Sequence, residues 1–242
     1  VHVHGDYVEN AYIGRAVMDA DIVISLTHFK AHDGTGFGGA LKNLGMGCGS
    51  RLGKKDMHAS EKPAVDQSRC VGCGVCAKNC AHGAITVTEH AHIDATKCAG
   101  CGRCIEKCPQ KCVHPMDDRA HEILSRKVAE YTAAVVRGRP CFHVALACDI
   151  SPYCDCYALN DAPILEDIGM FASFDPVAMD QCCVDMANAR KPLRNSLLYQ
   201  REKPGAADHF TALFPETNWQ AGLEQGEKLG IGTREYEMEE MA

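Results

Sequence analysis

The sequence predicts an α/β fold, a layered αβ domain split in two by a smaller inserted α+β module, and three observations predict it. Apolar, strand-like runs stand at Ile22-Val23-Ile24-Ser25-Leu26 and at residues 141–148. Each follows a stretch of helical spacing, carried by Ile13, Val17 and Ala20 before the first and by residues 118–136 before the second. Buried runs alternating with helices belong to sheets with helical crossovers. Between them the pattern breaks into short turns punctuated by cysteine, which sets boundaries of 1–65 and 115–242 for the α/β domain and 66–114 for the insertion.

In order, Ala11 to Ala20 reads as a helix and Ile22 to Leu26 as a buried strand. A glycine-rich stretch follows, Gly34-Thr35-Gly36-Phe37-Gly38-Gly39, expected as a loop before a short helix. Glycines there would offer bare backbone amides to an anion. Gly34, Gly36 and Gly39 satisfy G-x-G-x-x-G, but seven residues separate the strand from the first glycine and no acidic residue follows a second strand at the expected distance, which argues against a dinucleotide site. Arg51 to Gln67 is polar and reads as a linker. Ala84 to Thr88 and His92 to Asp94 read as short strands inside the insertion. The helix from Asp118 to Val136 places Ile123, Leu124, Lys127, Val128, Tyr131 and Val135 on one face and stops at Gly138 and Pro140. Asp175-Pro176 is a helix start, a capping carboxylate followed by proline in the first turn. Cys182 and Cys183 read as core residues of that helix. Pro204 to Trp219 and Leu223 to Gly232 read as closing helical segments.

The insertion carries the chemistry. Two runs, Cys70-x-x-Cys73-x-x-Cys76-x-x-x-Cys80 and Cys98-x-x-Cys101-x-x-Cys104-x-x-x-Cys108-Pro109, repeat at a period of 28 residues. This is the spacing of a two-cluster bacterial ferredoxin, in which the fourth cysteine of each run ligates the other cluster. The expected ligands are Cys70, Cys73, Cys76 and Cys108 for cluster one, and Cys98, Cys101, Cys104 and Cys80 for cluster two. Gly72 and Gly74 answer to Gly100 and Gly102, as expected where backbone wraps closely around a cube of iron and sulfide. Ala81 stands where the motif prefers proline, which weakens a turn and not a ligand. Zinc would take four ligands in two pairs, not two quartets.

Composition narrows the rest. The chain of 242 residues is 46% hydrophobic, enough to bury a sizeable core. Sixteen cysteines would fit a disulfide-stapled secreted protein only in a much shorter chain, so a reducing, cytoplasmic and oxygen-poor setting is expected. No apolar run approaches the ~18 residues of a membrane span. A net charge of -7 argues against nucleic acid and suits a carrier that docks on basic redox partners.

Cys48, Cys154 and Cys156 lie outside the two runs. They are candidates for a third site, either an iron-sulfur cluster with an open iron or a zinc ion with an open position, with Cys148 as a fourth candidate ligand. The alternative is unligated thiols near the insertion. Lys30, His32 and Lys42 are candidates to hold an anionic small molecule and move a proton, against the alternative of a solvated basic loop.

Residues 25–32, Gly36 to Cys48, Ser151-Pro152-Tyr153-Cys154-Asp155-Cys156, Asp161-Ala162-Pro163-Ile164, Ser173 to Asp180 and Leu229 to Glu237 together resemble the ferredoxin-bearing members of domain-of-unknown-function family 362. The resemblance covers nearly the whole chain. It implies an α/β domain with a two-cluster 4Fe-4S insertion and no settled activity. It marks Lys30, His32, Lys42, Asn43, Cys48, Cys154, Cys156, Asp175 and Asp180. It also implies a further α/β segment ahead of Val1, held as a separate fragment of the same precursor or lost from the record. The leading expectation is an electron-transfer protein whose clusters serve a site or partner on the α/β domain. The competing one is a reductase fed by those clusters; an iron-sulfur scaffold or sensor has no positive signal.

Overall fold

The computed structural model describes residues 1–117, 119–156, 160–203, 206 and 208–241. Among them are nine strands: β1 (Val23–His28), β2 (Lys30–His32), β3 (Gly36–Gly38), β4 (Pro63–Val65), β5 (Ile85–Val87), β6 (Ala91–Ile93), β7 (Val113–Pro115), β8 (Cys141–Ala147) and β9 (Gly169–Ser173). The chain is mixed α/β with small sheets. The largest has three strands in the order β1-β8-β9, with β1 parallel to β8 and β9 antiparallel to it. Register places Ser25 and Ser173 on either side of His143.

One face of this sheet is built from small or polar residues, Ser25, Thr27, His143, Ala145 and Ala147, all buried under the helices. The other face is apolar and open. Ile22, Ile24 and Leu26 are 60%, 73% and 65% exposed, and Met170 and Phe174 flank them at 70% and 79%. The first strand was expected to be buried; its position at a sheet edge, with helices on one face only, leaves its branched side chains in solvent.

The helix Ala120–Val136 is the central rod and is buried around most of its circumference. Its expected start at Asp118 lies outside the described residues. The Thr132 hydroxyl donates to the Leu41 carbonyl at 2.8 Å, and the Tyr131 hydroxyl to Asp56 at 2.9 Å. A π-helical turn, Asn43–Gly47, crosses this rod at Gly45, where a β-carbon would meet the Val128 carbonyl. The amphipathic helix Gln220–Lys228 covers another side.

Three expectations need correction. The helix of residues 11–20 shrinks to Arg15–Met18, because Tyr12 accepts from the Ser50 amide and Gly14 donates to the Cys48 carbonyl, which pins the preceding residues to another segment. The glycine stretch is not a loop: β2 and β3 make a buried antiparallel hairpin, with Lys30 opposite Gly38 and His32 opposite Gly36. The linker after Arg51 is a helix, Arg51–Met57, capped by the Ser50 hydroxyl and anchored by the fully buried Met57.

Residues 63–115 begin and end in one ribbon, since β4 pairs with β7. Between them lie the β5-β6 ribbon and two short helices, Val75–Lys78 and Arg103–Glu106. A compact cluster of Ile85, Ala91, Val113 and cysteines forms a core separate from that of the α/β part. Towards the end of the chain Asp175 caps the helix Pro176–Asn188, accepting from Val177 and Ala178 amides at 2.8 and 2.9 Å. Cys182 and Cys183 are buried in it. The expected helical stretch from Pro204, itself outside the described residues, contains the short helix His209–Leu213. No helix among the described residues is long and apolar enough to cross a membrane.

Candidate functional site

The hairpin carries Lys30 and His32, and the short helix Ala40–Lys42 that follows it carries Lys42. That helix is fixed from below by Asp180, a fully buried carboxylate that accepts from the amides of Ala40 and Leu41 at 2.6 and 2.9 Å. Burial pushes Asp180 up to about 7, against the pull of those two amides and of Lys30. Gly38 lets both lysine stems converge: a β-carbon there would stand 3.3 Å from Lys30 Cε and 3.4 Å from Lys42 Cδ. Across from them runs the segment after β8, tied to the hairpin by the Ala31 amide donating to the Ser151 carbonyl at 3.0 Å. It brings in Cys154, Asp155 and Cys156.

These side chains meet. The His32, Cys154 and Cys156 ligand atoms all lie within 4.8 Å of one another. The Lys42 ammonium is 3.5 Å from Cys154 Sγ. His32 Nδ1 accepts from the amides of Gly34 at 2.9 Å and Thr35 at 3.2 Å, so the ring proton sits on Nε2. Burial, with the charge of Lys42 next, holds this imidazole well below its usual pKa and therefore neutral. Cys154 is lowered to about 5, chiefly by the hydrogen bond from the Cys156 thiol, with Lys42 and Lys30 adding to it against burial. Cys156 is raised by that same bond and by the neighbouring thiolate. Asp155 bridges Lys30 at 3.2 Å and His28 Nδ1 at 3.0 Å; burial raises it, but those two partners hold it below the usual carboxylate range. The Lys30 ammonium also donates to the His28 carbonyl at 2.7 Å.

Among the described residues Cys48 stands outside the group formed by His32, Cys154 and Cys156, so the three cysteines do not converge as the expected ligands of one ion. Cys48 closes the π-helical turn and its thiol faces the Asn43 carbonyl at 3.9 Å, back along its own segment. His32 takes its place beside the other two. Cys148 is also outside that group, and its carbonyl accepts from His28 Nε2 at 2.9 Å. Asn43 ties its turn to β1 by donating to Leu26 and Thr27. Sequence reasoning passed over His28 and Asp155. The spacing offered a signal, since His28 lies two residues before Lys30 on the same side of extended backbone.

Within residues 63–115, Cys70, Cys73 and Cys76 line one pocket together with Cys108 of the second run. Backbone amides point at cysteine sulfur: Ala91 at Cys70 (3.4 Å), Ala84 at Cys80 (3.3 Å) and Gly100 at Cys98 (3.4 Å). Gly72 and Gly100 have φ of 63° and 75° and lie against the carbonyls of Glu89 and His58, which excludes any side chain. Burial, then the charges of Cys98 and Cys101, pushes Cys104 up to about 12. Cys112, a buried fifth thiol, lies 3.4 Å from Cys108. The turn around His58 joins the two regions, since Gly100 rests on its backbone and the turn packs against the helix Ala120–Val136.

A family model described as "Domain of unknown function (DUF362)" matches residues 1–185. The chain belongs to the DUF362 family. No curated protein matches it. The DUF362 match takes in every residue of the Lys30–Lys42–Cys154 cluster and all eight cysteines of the two runs. It ends inside the helix Pro176–Asn188, so the DUF362 region includes the Asp175 cap and the Asp180 anchor.

Proposed function

We propose that this chain is an iron-sulfur electron-transfer protein, with a bacterial-ferredoxin-like insertion holding two 4Fe-4S clusters that serve the site on the α/β domain. Cys70, Cys73, Cys76 and Cys108 hold one cluster and Cys98, Cys101, Cys104 and Cys80 the other, and each cluster supplies one electron at low potential. The observation that carries this reading is the cross-grouping of Cys108 with three cysteines of the other run around one pocket. The donor set fits. Amides aimed at three of the sulfurs and glycines at the points of closest wrapping are what a cluster cage requires. Among the described residues no three of the eight sulfurs come within 4.8 Å of one another, the convergence a single metal ion would need. The electrons serve the α/β domain because the turn around His58 packs against both Gly100 and the helix Ala120–Val136.

A reductase is favoured over a plain carrier by the second site, where two lysines, a neutral imidazole and two thiols converge on one edge of the hairpin. A shuttle needs none of them. The test is anaerobic electron paramagnetic resonance of the reduced protein and its Cys108→Ser variant. Two interacting reduced clusters are expected in the parent. In the variant, the signal of the cluster held by Cys70, Cys73 and Cys76 should change and the other persist. Loss confined to the cluster held by Cys98, Cys101 and Cys104 would overturn the assignment.

A further inference from the structure

The sulfur of Cys154 is buried, yet two donors and an imidazole stand beside it. The Lys42 ammonium stands at 3.5 Å, the Cys156 thiol hydrogen-bonds to it, and His32, with its proton on Nε2, lies within 4.8 Å. A metal ion is a poor occupant. Nδ1 of His32 already accepts from two backbone amides, which leaves Nε2 protonated and without the lone pair a metal needs. The ammonium at Cys154 would face the cation directly, and Lys30 adds a second positive charge nearby. The arrangement instead stabilises negative charge on one sulfur while a second sulfur, that of the exposed Cys156, lies beside it.

We propose that Cys154 and Cys156 form a redox-active dithiol that cycles through an intramolecular disulfide and exchanges with disulfide-bearing substrates. The pair holds one proton in its reduced form, Cys156 S–H against Cys154 S⁻. The exposed Cys156 sulfur passes its proton to Cys154 and attacks the substrate disulfide; a mixed disulfide forms and the first substrate thiolate leaves. Cys154 releases the proton to that thiolate and attacks Cys156. The Cys154–Cys156 bond forms and the second substrate thiolate departs. The pair has lost two electrons and the substrate has gained them. Re-reduction takes two electrons from low-potential one-electron donors and one proton: the S–S bond breaks, Cys156 regains its hydrogen and Cys154 returns to the thiolate that Lys42 holds. A low-pKa thiolate is the better leaving group, which sets Cys154 as the one released. The inference rests on the electron-relay reading for the source of those electrons, since two one-electron clusters match the demand of one disulfide. Its sulfur chemistry stands without the clusters, on the contacts of Lys42 and Cys156 with the Cys154 sulfur.

The experiment poises the anaerobic holoprotein in glutathione buffers of stepped ratio, alkylates it and weighs the peptide that spans both cysteines. The expected result is two alkyl groups at reducing poise and none at oxidising poise, with a two-electron midpoint. Lys42→Met should shift the exchange equilibrium about tenfold towards the disulfide, because the thiolate loses its cation. Cys156→Ser should abolish the transition. Iron measured on the same samples separates the two readings. Full iron with both thiols alkylated at every poise overturns the dithiol and leaves the clusters standing. An iron-free protein that still forms the disulfide overturns the relay and leaves the dithiol standing. Protection of both thiols by stoichiometric zinc, reversed by a chelator, overturns the dithiol in favour of a metal.

Discussion

Lys42 and Cys154 are 112 residues apart in sequence and 3.5 Å apart in space. Their contact exists because the glycine hairpin folds back on the segment after β8 and because Asp180 fixes the helix that presents the lysine. A thiolate paired with an ammonium in a half-buried pocket is a chemical device, and it ties the hairpin's lysines to the Cys-x-Cys segment as one site.

Asp180 should govern stability more than chemistry. Replacement by alanine leaves two buried amides without an acceptor, which costs about 1–3 kcal/mol; urea unfolding measures it. The pH dependence has a definite sign. Burial holds the folded carboxyl at about 7, above its ordinary 3.8, so its contribution is fully present below 3.8 and is lost as pH rises through 7. Asp180→Asn should flatten that decline.

Asp175 is a cap in this structure and is predicted to carry no chemistry. It also accepts from the Thr233 amide at 2.8 Å, which fastens the C-terminal segment to the helix. Asp175→Ala should cost about 1–2 kcal/mol in thermal or denaturant unfolding. Asp175→Ser should recover much of it, with metal content and thiol reactivity unchanged in both.

Cys112 lies 3.4 Å from Cys108 and stands outside the eight proposed cluster ligands, so beside a ligated Cys108 its thiol is the donor. Hydrogen bonds to ligand sulfur raise a cluster's reduction potential. Cys112→Ala should therefore lower the potential of the cluster proposed at Cys70, Cys73, Cys76 and Cys108, leave the other where it is and keep the iron content intact. Redox-poised paramagnetic resonance reads all three.

The open sheet face is predicted to bind an apolar dye. Ile24, Leu26, Met170 and Phe174 are all more than half exposed on one surface, and parallel strands are as a rule covered on both faces. Leu26→Thr with Phe174→Ser should lower the dye fluorescence and change unfolding stability by no more than about 0.5 kcal/mol.

Much of the fold was legible because its signals are local. The helix Ala120–Val136 showed its apolar face by period, and Asp175-Pro176 showed a helix start by residue type. What stayed hidden depends on distant partners. Ile24 and Leu26 look like core until the sheet is seen to be covered on one side only. The glycines of the hairpin look like a loop until their pairing with Lys30 to His32 is known. Cys48 looked like the third member of a group with Cys154 and Cys156, whereas its thiol faces the Asn43 carbonyl and it is His32 that falls within 4.8 Å of the other two. A sequence shows residue types and spacing, but not which side of a turn a side chain leaves from.

The most direct test of the central claim is chemical analysis of iron and acid-labile sulfide in protein prepared without oxygen. The account predicts a brown protein with about eight irons and about eight sulfides per chain, unchanged when Cys154 and Cys156 are replaced by serine. A colourless protein with no iron, or one holding only zinc, would contradict it.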